Sequence, residues 1–164
     1  MTPNASFLGT FHKTGTTLMS QVLGGLERDT DLRVWRMHDQ PKPPKVWDLC
    51  FHHSSRFLWE KGMLSDDRDQ RCAFIVRDPR DVVISCVKYH LDAGEEWLHE
   101  PDDEFGGATY QQALRSLRTD EERQLFEIDH SAGRILQMMG KIPTGSPGVL
   151  VVRLEDLMTD YDLM

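Results

Sequence analysis

Short apolar runs alternate along the chain with segments whose apolar residues recur at helical spacing. The runs predict strands at 6–10, 33–38, 46–55, 72–76 and 149–157, and the periodicity predicts helices at 15–27, 56–65, 109–118 and 120–140 and after Pro79. Residues 72–76 are continuously apolar, as is typical of strands buried in parallel sheets. Strands that alternate with helices predict an α/β fold with a central parallel sheet flanked by helices.

Local signals refine these elements. Asp78 followed by Pro79 is a typical helix start, because Asp caps the first amides and Pro suits the first turn. Three prolines exclude regular structure from 39–45, and the acidic segment 93–108 predicts a mobile loop. The positions expected to face the core are Leu18, Met19, Val22, Leu23 and Leu26 in the first helix, Val82, Val83, Cys86 and Val87 after Pro79, and Leu125, Ile128, Ala132, Ile135 and Met139 in 120–140.

Composition restricts the class of protein. A chain of 164 residues with 39% hydrophobic and 28% charged positions predicts one globular domain, residues 1–164. The net charge of −8, from 19 basic and 27 acidic residues, argues against a nucleic-acid binder. No apolar run reaches the roughly 18 residues that span a bilayer, and no secretory signal is visible. With three scattered cysteines, expected to be buried and reduced, these features predict a cytoplasmic protein that binds no membrane.

The segment K-T-G-T-T, residues 13–17, lies between the first strand and the first helix. A helix N-terminus presents unpaired amides and a positive dipole to an anion. Gly15 permits close approach, Thr14, Thr16 and Thr17 supply hydroxyls, and Lys13 adds a full charge. The Gly-Lys register of the usual nucleotide loop is absent, so the segment predicts an anion site of a different kind.

A second set of anion ligands follows the 72–76 strand. Arg77 stands at the carboxyl end of that strand, the edge at which open α/β sheets bind ligands. Ser85 lies eight residues later on the helix that follows. A surface ion pair with Asp78 or Asp81 is the alternative interpretation of Arg77. Together with residues 13–17, the pair predicts a nucleotide that is phosphorylated at two places.

These segments resemble motifs of sulfotransferases that use 3′-phosphoadenosine-5′-phosphosulfate (PAPS). K-T-G-T-T resembles the family's 5′-phosphosulfate loop, with His12 in the place of the common Pro or Arg. The stretch 77–85, R-D-P-R-D-V-V-I-S, matches every defined position of the family's 3′-phosphate motif. R-L-E-D-L at 153–157 resembles a stretch near a late core strand. The three occur in the family's order, which implies a three-layer P-loop domain.

The resemblance implies a reaction and roles for these residues. PAPS is the expected donor, Lys13 the catalytic cation at the leaving phosphate, residues 13–17 the 5′ contacts, and Arg77 and Ser85 the 3′-phosphate ligands. No metal is expected to be essential. The acceptor is expected to be a hydroxyl or amine of a small molecule or glycan.

The general base is the less constrained part of the prediction. Relatives use a histidine, or a glutamate, at the end of the strand before the arginine-bearing strand. The first choice is therefore His53, then His52, with His38 third. Strand alternation predicts that His52 and His53 point to opposite faces.

Relatives continue into a C-terminal segment that closes over the nucleotide, and the sequence up to Met164 contains nothing that resembles it. Either the sequence is a truncated form of a longer protein, or the protein is a short version with an open nucleotide site. In both cases a weakened nucleotide affinity is expected. Two other functions stay open: a P-loop kinase that transfers phosphate from ATP, and a non-catalytic nucleotide-binding module. The sequence indicates neither the acceptor nor the oligomeric state.

Overall fold

The computed structural model describes residues 6–55 and 70–159. Their five strands are β1 (Ser6–Gly9), β2 (Val34–Arg36), β3 (Leu49–His52), β4 (Arg71–Val76) and β5 (Val149–Arg153). They form one sheet in the order β2-β3-β1-β4-β5, and every neighbouring pair is parallel. The predicted α/β fold with a parallel sheet flanked by helices is confirmed. The helix predicted at 56–65 lies outside the described residues.

The helices are α1 (Thr16–Asp29), α2 (Pro79–His90), α3 (Tyr110–Ser116), α4 (Asp120–Asp129), α5 (Ser131–Met139) and α6 (Leu154–Thr159). α2 begins as predicted, with the Asp78 carboxylate accepting a hydrogen bond from the Arg80 amide. α3 and α4 each begin with a capping box, at Thr109 and Thr119. Within the described residues, no helix is long and apolar enough to cross a bilayer.

The chain divides into two compact units. The first comprises residues 1–77 and 139–164, and the second comprises 78–138. The first unit contains the sheet, with a core cluster of Met19, Leu23, Phe51 and Ile75. Leu23 and Met19 of α1 therefore seal one face of the sheet. The single domain expected from chain length stays a prediction.

The second unit has its own aromatic and aliphatic cluster. Leu98, Tyr110 and Leu114 are buried there, and Phe105 and Phe126 pack against them. The segment expected to be a loop, 93–108, contains two turns of 3₁₀ helix, Glu96–Leu98 and Asp103–Phe105. Leu98 and Phe105 pack into this cluster and give the acidic segment an apolar side. The many acidic residues of the segment suggested a mobile loop instead.

Two predicted helix faces need correction. In α1 the buried positions are Met19 and Leu23, whereas Val22 and Leu26 are exposed. The predicted helix 120–140 is two helices, α4 and α5, because His130 has φ −122° and ψ −106°. Leu125 and Ile128, expected inside, are exposed. The predicted buried face of α2 is confirmed, as is the burial of the three free cysteines.

Candidate anion-binding site at the carboxyl edge of the sheet

β1 lies at the centre of the sheet, between β3 and β4. Since the strands are parallel, the residues that follow them emerge at the same edge. Three predicted features therefore meet at this edge: the loop after β1, the histidines after β3 and Arg77 after β4. All of them belong to the first unit.

The loop between β1 and α1 has an unusual backbone. Lys13 has φ 65° and Gly15 has φ 99°, both in the left-handed region. For a residue with a side chain this conformation costs about 1–2 kcal/mol, and such strain concentrates at functional positions. At Gly15 a Cβ atom would also lie 2.8 Å from Leu154 Cδ1 of α6. The backbone conformation favours glycine there, whereas the end of the Leu154 side chain is free to shift away from an added Cβ atom.

The first turn of α1 is suited to an anion. Its N-cap is Gly15, and none of the described residues of that turn is acidic. The first amides of a helix have no partner within the helix, and the dipole adds roughly half a positive charge at that end. A helix of 14 residues thus presents donors and positive potential directly after Lys13.

The three threonines of the loop have different surroundings. The Thr14 hydroxyl is fully buried, donating to the Phe11 carbonyl and accepting from the Phe11 amide. The Thr16 hydroxyl lies 2.8 Å from that of Thr10. Thr17 is exposed. Thr14 and Thr16 hydroxyls therefore hold the loop in shape, and ligand contact by any of the three hydroxyls stays a prediction.

Arg77 lies beside this loop. Its Nη1 donates a hydrogen bond of 3.2 Å to the Lys13 carbonyl oxygen. That bond joins the two segments which the sequence assigned separately to one ligand, and it brings a guanidinium to the strained residue. Ser85 is half-buried on α2, in the second unit. Its part in the site stays a prediction from the sequence.

The rings of the three candidate histidines contact one another at the carboxyl edge of the sheet. The rings of His52 and His53 are parallel, with centroids 5.1 Å apart, and His53 meets His38 edge-on at 4.0 Å. The expectation that His52 and His53 point to opposite faces is wrong. β3 ends at His52, so strand alternation no longer applies to His53, which lies in the following turn.

His52 and His53 differ in environment. His52 is buried, and its Nδ1 accepts a hydrogen bond from the Ser54 amide at 3.0 Å. That lone pair is therefore engaged in closing the turn. His53 is half-buried and His38 exposed. Of the three histidines, His53 has the intermediate burial that leaves its ring accessible to a substrate and partly shielded from solvent.

Sequence reasoning missed two residues that brace the loop. Ser55 is fully buried with φ 50°, and its hydroxyl donates to the Thr10 carbonyl at 2.8 Å. The Thr10 amide in turn donates to the His52 carbonyl. The end of β3 thus supports the start of the anion loop. No motif marks these positions; a small polar residue within a few positions of a strand's end is the only signal.

Comparison with known proteins supports the fold. No family model and no curated protein matches the sequence. Among solved structures, that of the mouse sulfotransferase SULT7A1 complexed with PAP matches with a TM-score of 0.60 and 14% sequence identity. The match covers 98% of this chain and 56% of that chain. The chain thus shares the α/β fold of a sulfotransferase over about half of that protein's length.

Proposed function

We propose that the chain binds PAPS and transfers its sulfuryl group to an acceptor hydroxyl or amine. The observation that carries the proposal is the hydrogen bond from Arg77 to the carbonyl of Lys13, at the amino end of α1. Two residues that are distant in the sequence, and that are both predicted to bind an anion, thus lie together near one helix N-terminus, which supports a shared ligand there. The fold shared with a sulfotransferase supports the same conclusion.

In the proposed reaction the acceptor oxygen or nitrogen forms a bond to sulfur. The bond between sulfur and the bridging phosphate oxygen breaks, and its electron pair stays on that oxygen. Lys13 and the amides of α1 stabilise the charge that develops there, since preorganised donors act most strongly where charge appears. Arg77, with its planar fork of donors, binds the 3′-phosphate. Ser85 is assigned to the same phosphate on the sequence motif alone.

His53 is proposed to accept the acceptor's proton. The alternative His52 has its Nδ1 engaged with the Ser54 amide, which leaves the ring without that lone pair for proton abstraction. His38 is exposed and meets the His53 ring edge-on, so it is better placed to orient His53 than to reach a sheltered acceptor. A small molecule or glycan remains the expected acceptor.

Calorimetric titration with 3′-phosphoadenosine-5′-phosphate tests the nucleotide site, with ADP plus magnesium as the competing ligand. Arg77→Ala and Lys13→Ala are each expected to weaken binding about tenfold or more, since hydrogen bonds to charged groups contribute about 1.5–3 kcal/mol. Arg77→Lys keeps the charge and loses the fork, so it is expected to recover only part of the affinity. Arg71→Ala, at the opposite end of β4, is the matched control.

Each outcome has a definite meaning. Binding that needs the 3′-phosphate and fails in Arg77→Ala, but not in Arg71→Ala, supports the donor site and justifies an acceptor screen with His53→Ala. Preference for magnesium ADP would instead favour the P-loop kinase. Tight binding without turnover of varied acceptors would favour a non-catalytic nucleotide-binding module.

A further inference from the structure

Three side chains of types that commonly bind metals form a cluster in the second unit, and none of them belongs to the candidate anion site. Cys86 and His90 are four residues apart on α2, so they share one helix face. Glu127 of α4 faces them. All three side chains are fully buried, and their ligand atoms lie within 4.8 Å of one another. Fully buried Glu and His side chains are uncommon unless paired or bound to a metal.

The pairing within this cluster is incomplete. His90 Nδ1 and Glu127 Oε1 are 2.6 Å apart and share a hydrogen bond. The second carboxylate oxygen, Glu127 Oε2, is buried and has no hydrogen-bond partner among the described residues. The hydroxyl of Tyr110, a residue that is 7% exposed, makes no hydrogen bond of good geometry either, and its neighbours are Glu127 and the Ser131 backbone. A buried polar atom without a partner costs about 1–3 kcal/mol, so the cluster has unused binding capacity.

The Tyr110 hydroxyl belongs to the same polar centre. Glu127 lies close enough to interact with this hydroxyl. Its ring lies edge-on to the His90 ring, with centroids 5.6 Å apart. A sulfur, a ring nitrogen, a carboxylate and a phenol oxygen thus converge within an otherwise aromatic core.

We propose that Cys86, His90 and Glu127 bind a single zinc ion. Thiolate, imidazole and carboxylate are the three ligand types that zinc takes in proteins, and this mixture of soft and hard donors disfavours calcium and magnesium. A thiolate and a carboxylate also balance the two charges of the ion in a fully buried site, where a net charge would be costly. Tyr110 is then placed to donate to a ligand oxygen, as partners of metal-bound carboxylates commonly do.

Coordination requires a small adjustment and a release of protons. Two ligand atoms of one tetrahedral zinc ion lie about 3.3 Å apart, whereas a shared proton holds Nδ1 and Oε1 at 2.6 Å. If those two atoms bind the ion, they separate by about 0.7 Å. The Cys86 thiol loses its proton, so zinc affinity falls with decreasing pH.

The ion would be structural. It would join α2 to α4 from inside the second unit, and its binding free energy would add to the stability of that unit. This inference is independent of the proposed sulfuryl transfer. A structural zinc ion departs from the sequence-based expectation of no metal, whereas the proposed sulfuryl transfer still uses none.

The test uses the full chain without an affinity tag, produced in zinc-supplemented medium and dialysed. Inductively coupled plasma mass spectrometry is expected to find about one zinc ion per chain in the wild type and in Cys50→Ala. Cys50 is an equally buried cysteine, in the first unit. In Cys86→Ala and Glu127→Gln the zinc content is expected to fall at least severalfold.

Refolding the wild type with cobalt gives a second readout that needs no variant. A thiolate-to-cobalt charge-transfer band that is retained in Cys50→Ala and lost in Cys86→Ala supports the site. Zinc content that is no higher in the wild type than in Cys86→Ala overturns the proposal. So does a cobalt-refolded wild type without the charge-transfer band, even if Cys86→Ala fails to fold.

Discussion

At the scale of single residues, the most informative position is Lys13. Its left-handed backbone is a conformation that glycine adopts freely and that other residues adopt at a cost. A strained lysine in a loop that Ser55, Thr10 and Arg77 hold in place fits the proposed role of this side chain in ligand binding, because backbone strain concentrates at functional positions. Stability and binding should therefore respond to this residue in opposite directions.

Lys13→Gly is expected to be about 0.5–1 kcal/mol more stable than Lys13→Ala. The left-handed strain of about 1–2 kcal/mol is relieved in the glycine variant, and the greater freedom of glycine in the unfolded chain offsets part of that gain. Urea denaturation measures the difference. Both variants should bind 3′-phosphoadenosine-5′-phosphate more weakly than the wild type. A glycine variant no more stable than the alanine variant would contradict the strain at this position.

Asp48 is expected to make stability depend on pH. Hydrogen bonds from Arg33 hold the pKa of Asp48 at about 2, below its ordinary value of 3.8. A carboxyl with a lowered folded-state pKa stabilises the fold fully above pH 3.8, and this contribution is lost as the pH falls towards 2.

In urea midpoints measured from pH 6 to pH 2, Asp48→Asn should be less stable than the wild type above pH 4. The difference should shrink towards pH 2. Arg33→Gln is expected to give the same profile, because the two groups act as a pair. If the stability difference between variant and wild type were constant from pH 6 to pH 2, the ionisation of Asp48 would not be its cause.

At the scale of elements, the break between α4 and α5 depends on one glycine. A Cβ atom at Gly133 would lie 1.9 Å from the Ile128 carbonyl oxygen. The His130 ring stacks on the Phe126 ring. His130 Nδ1 lies 2.6 Å from the carbonyl oxygen of Phe126. Local hydrogen bonding and a close backbone approach thus end α4 at Asp129.

Gly133→Ala is expected to destabilise the protein by about 1–3 kcal/mol, the range typical of added methyl groups that force backbone shifts in a packed region. Gly24→Ala is the matched control. Gly24 lies within α1, where an added Cβ would meet only Arg28 Nη1 at 3.8 Å. The Gly24→Ala variant should be more stable than the wild type by up to about 1 kcal/mol, because alanine has the higher helix propensity. Thermal denaturation of both variants measures the contrast, and equal effects would contradict it.

The same elements show how far sequence reasoning reached. The alternation of strands and helices, the Asp78 cap and the buried face of α2 follow from short-range rules, and the structure has them. The break at His130 was not predicted, because the apolar residues on both sides of it recur at uninterrupted helical spacing; they are Leu125, Ile128, Ala132 and Ile135. Which side of α1 faces the sheet was also predicted only in part. The apolar surface of the helix is wider than the strip that the sheet covers; it comprises Leu18, Met19, Val22, Leu23 and Leu26.

In the candidate site, the sequence motifs located Lys13 and Arg77 but could not supply their contact. Arg77 reaches Lys13 across 64 positions of sequence, through the pairing of β1 with β4. Ser55 reaches Thr10 in the same way through β1 and β3. Such contacts depend on strand order, which motif spacing does not determine. The buried Cys86, His90 and Glu127 group likewise joins residues of two helices.

At the scale of the whole molecule, charge acts on the proposed ligand in two opposite ways. The chain carries a net charge of −8, which repels a polyanionic nucleotide. The loop after β1 and Arg77 attract it at contact distance. The two effects have different ranges, so salt separates them. Screening extends over about 30 Å at 0.01 M salt and about 10 Å at 0.1 M.

The affinity for 3′-phosphoadenosine-5′-phosphate is therefore expected to pass through a maximum as salt increases. Between about 0.01 and 0.1 M, screening removes mainly the long-range repulsion, so binding strengthens. Above about 0.1 M it weakens the short-range attraction of Lys13 and Arg77, so binding declines. Calorimetry at five salt concentrations measures the curve. Arg77→Lys should keep the rise at low salt, because the net charge is unchanged. A monotonic fall from the lowest salt would show that the acidic surface does not reach the ligand, and that local cations alone determine its affinity.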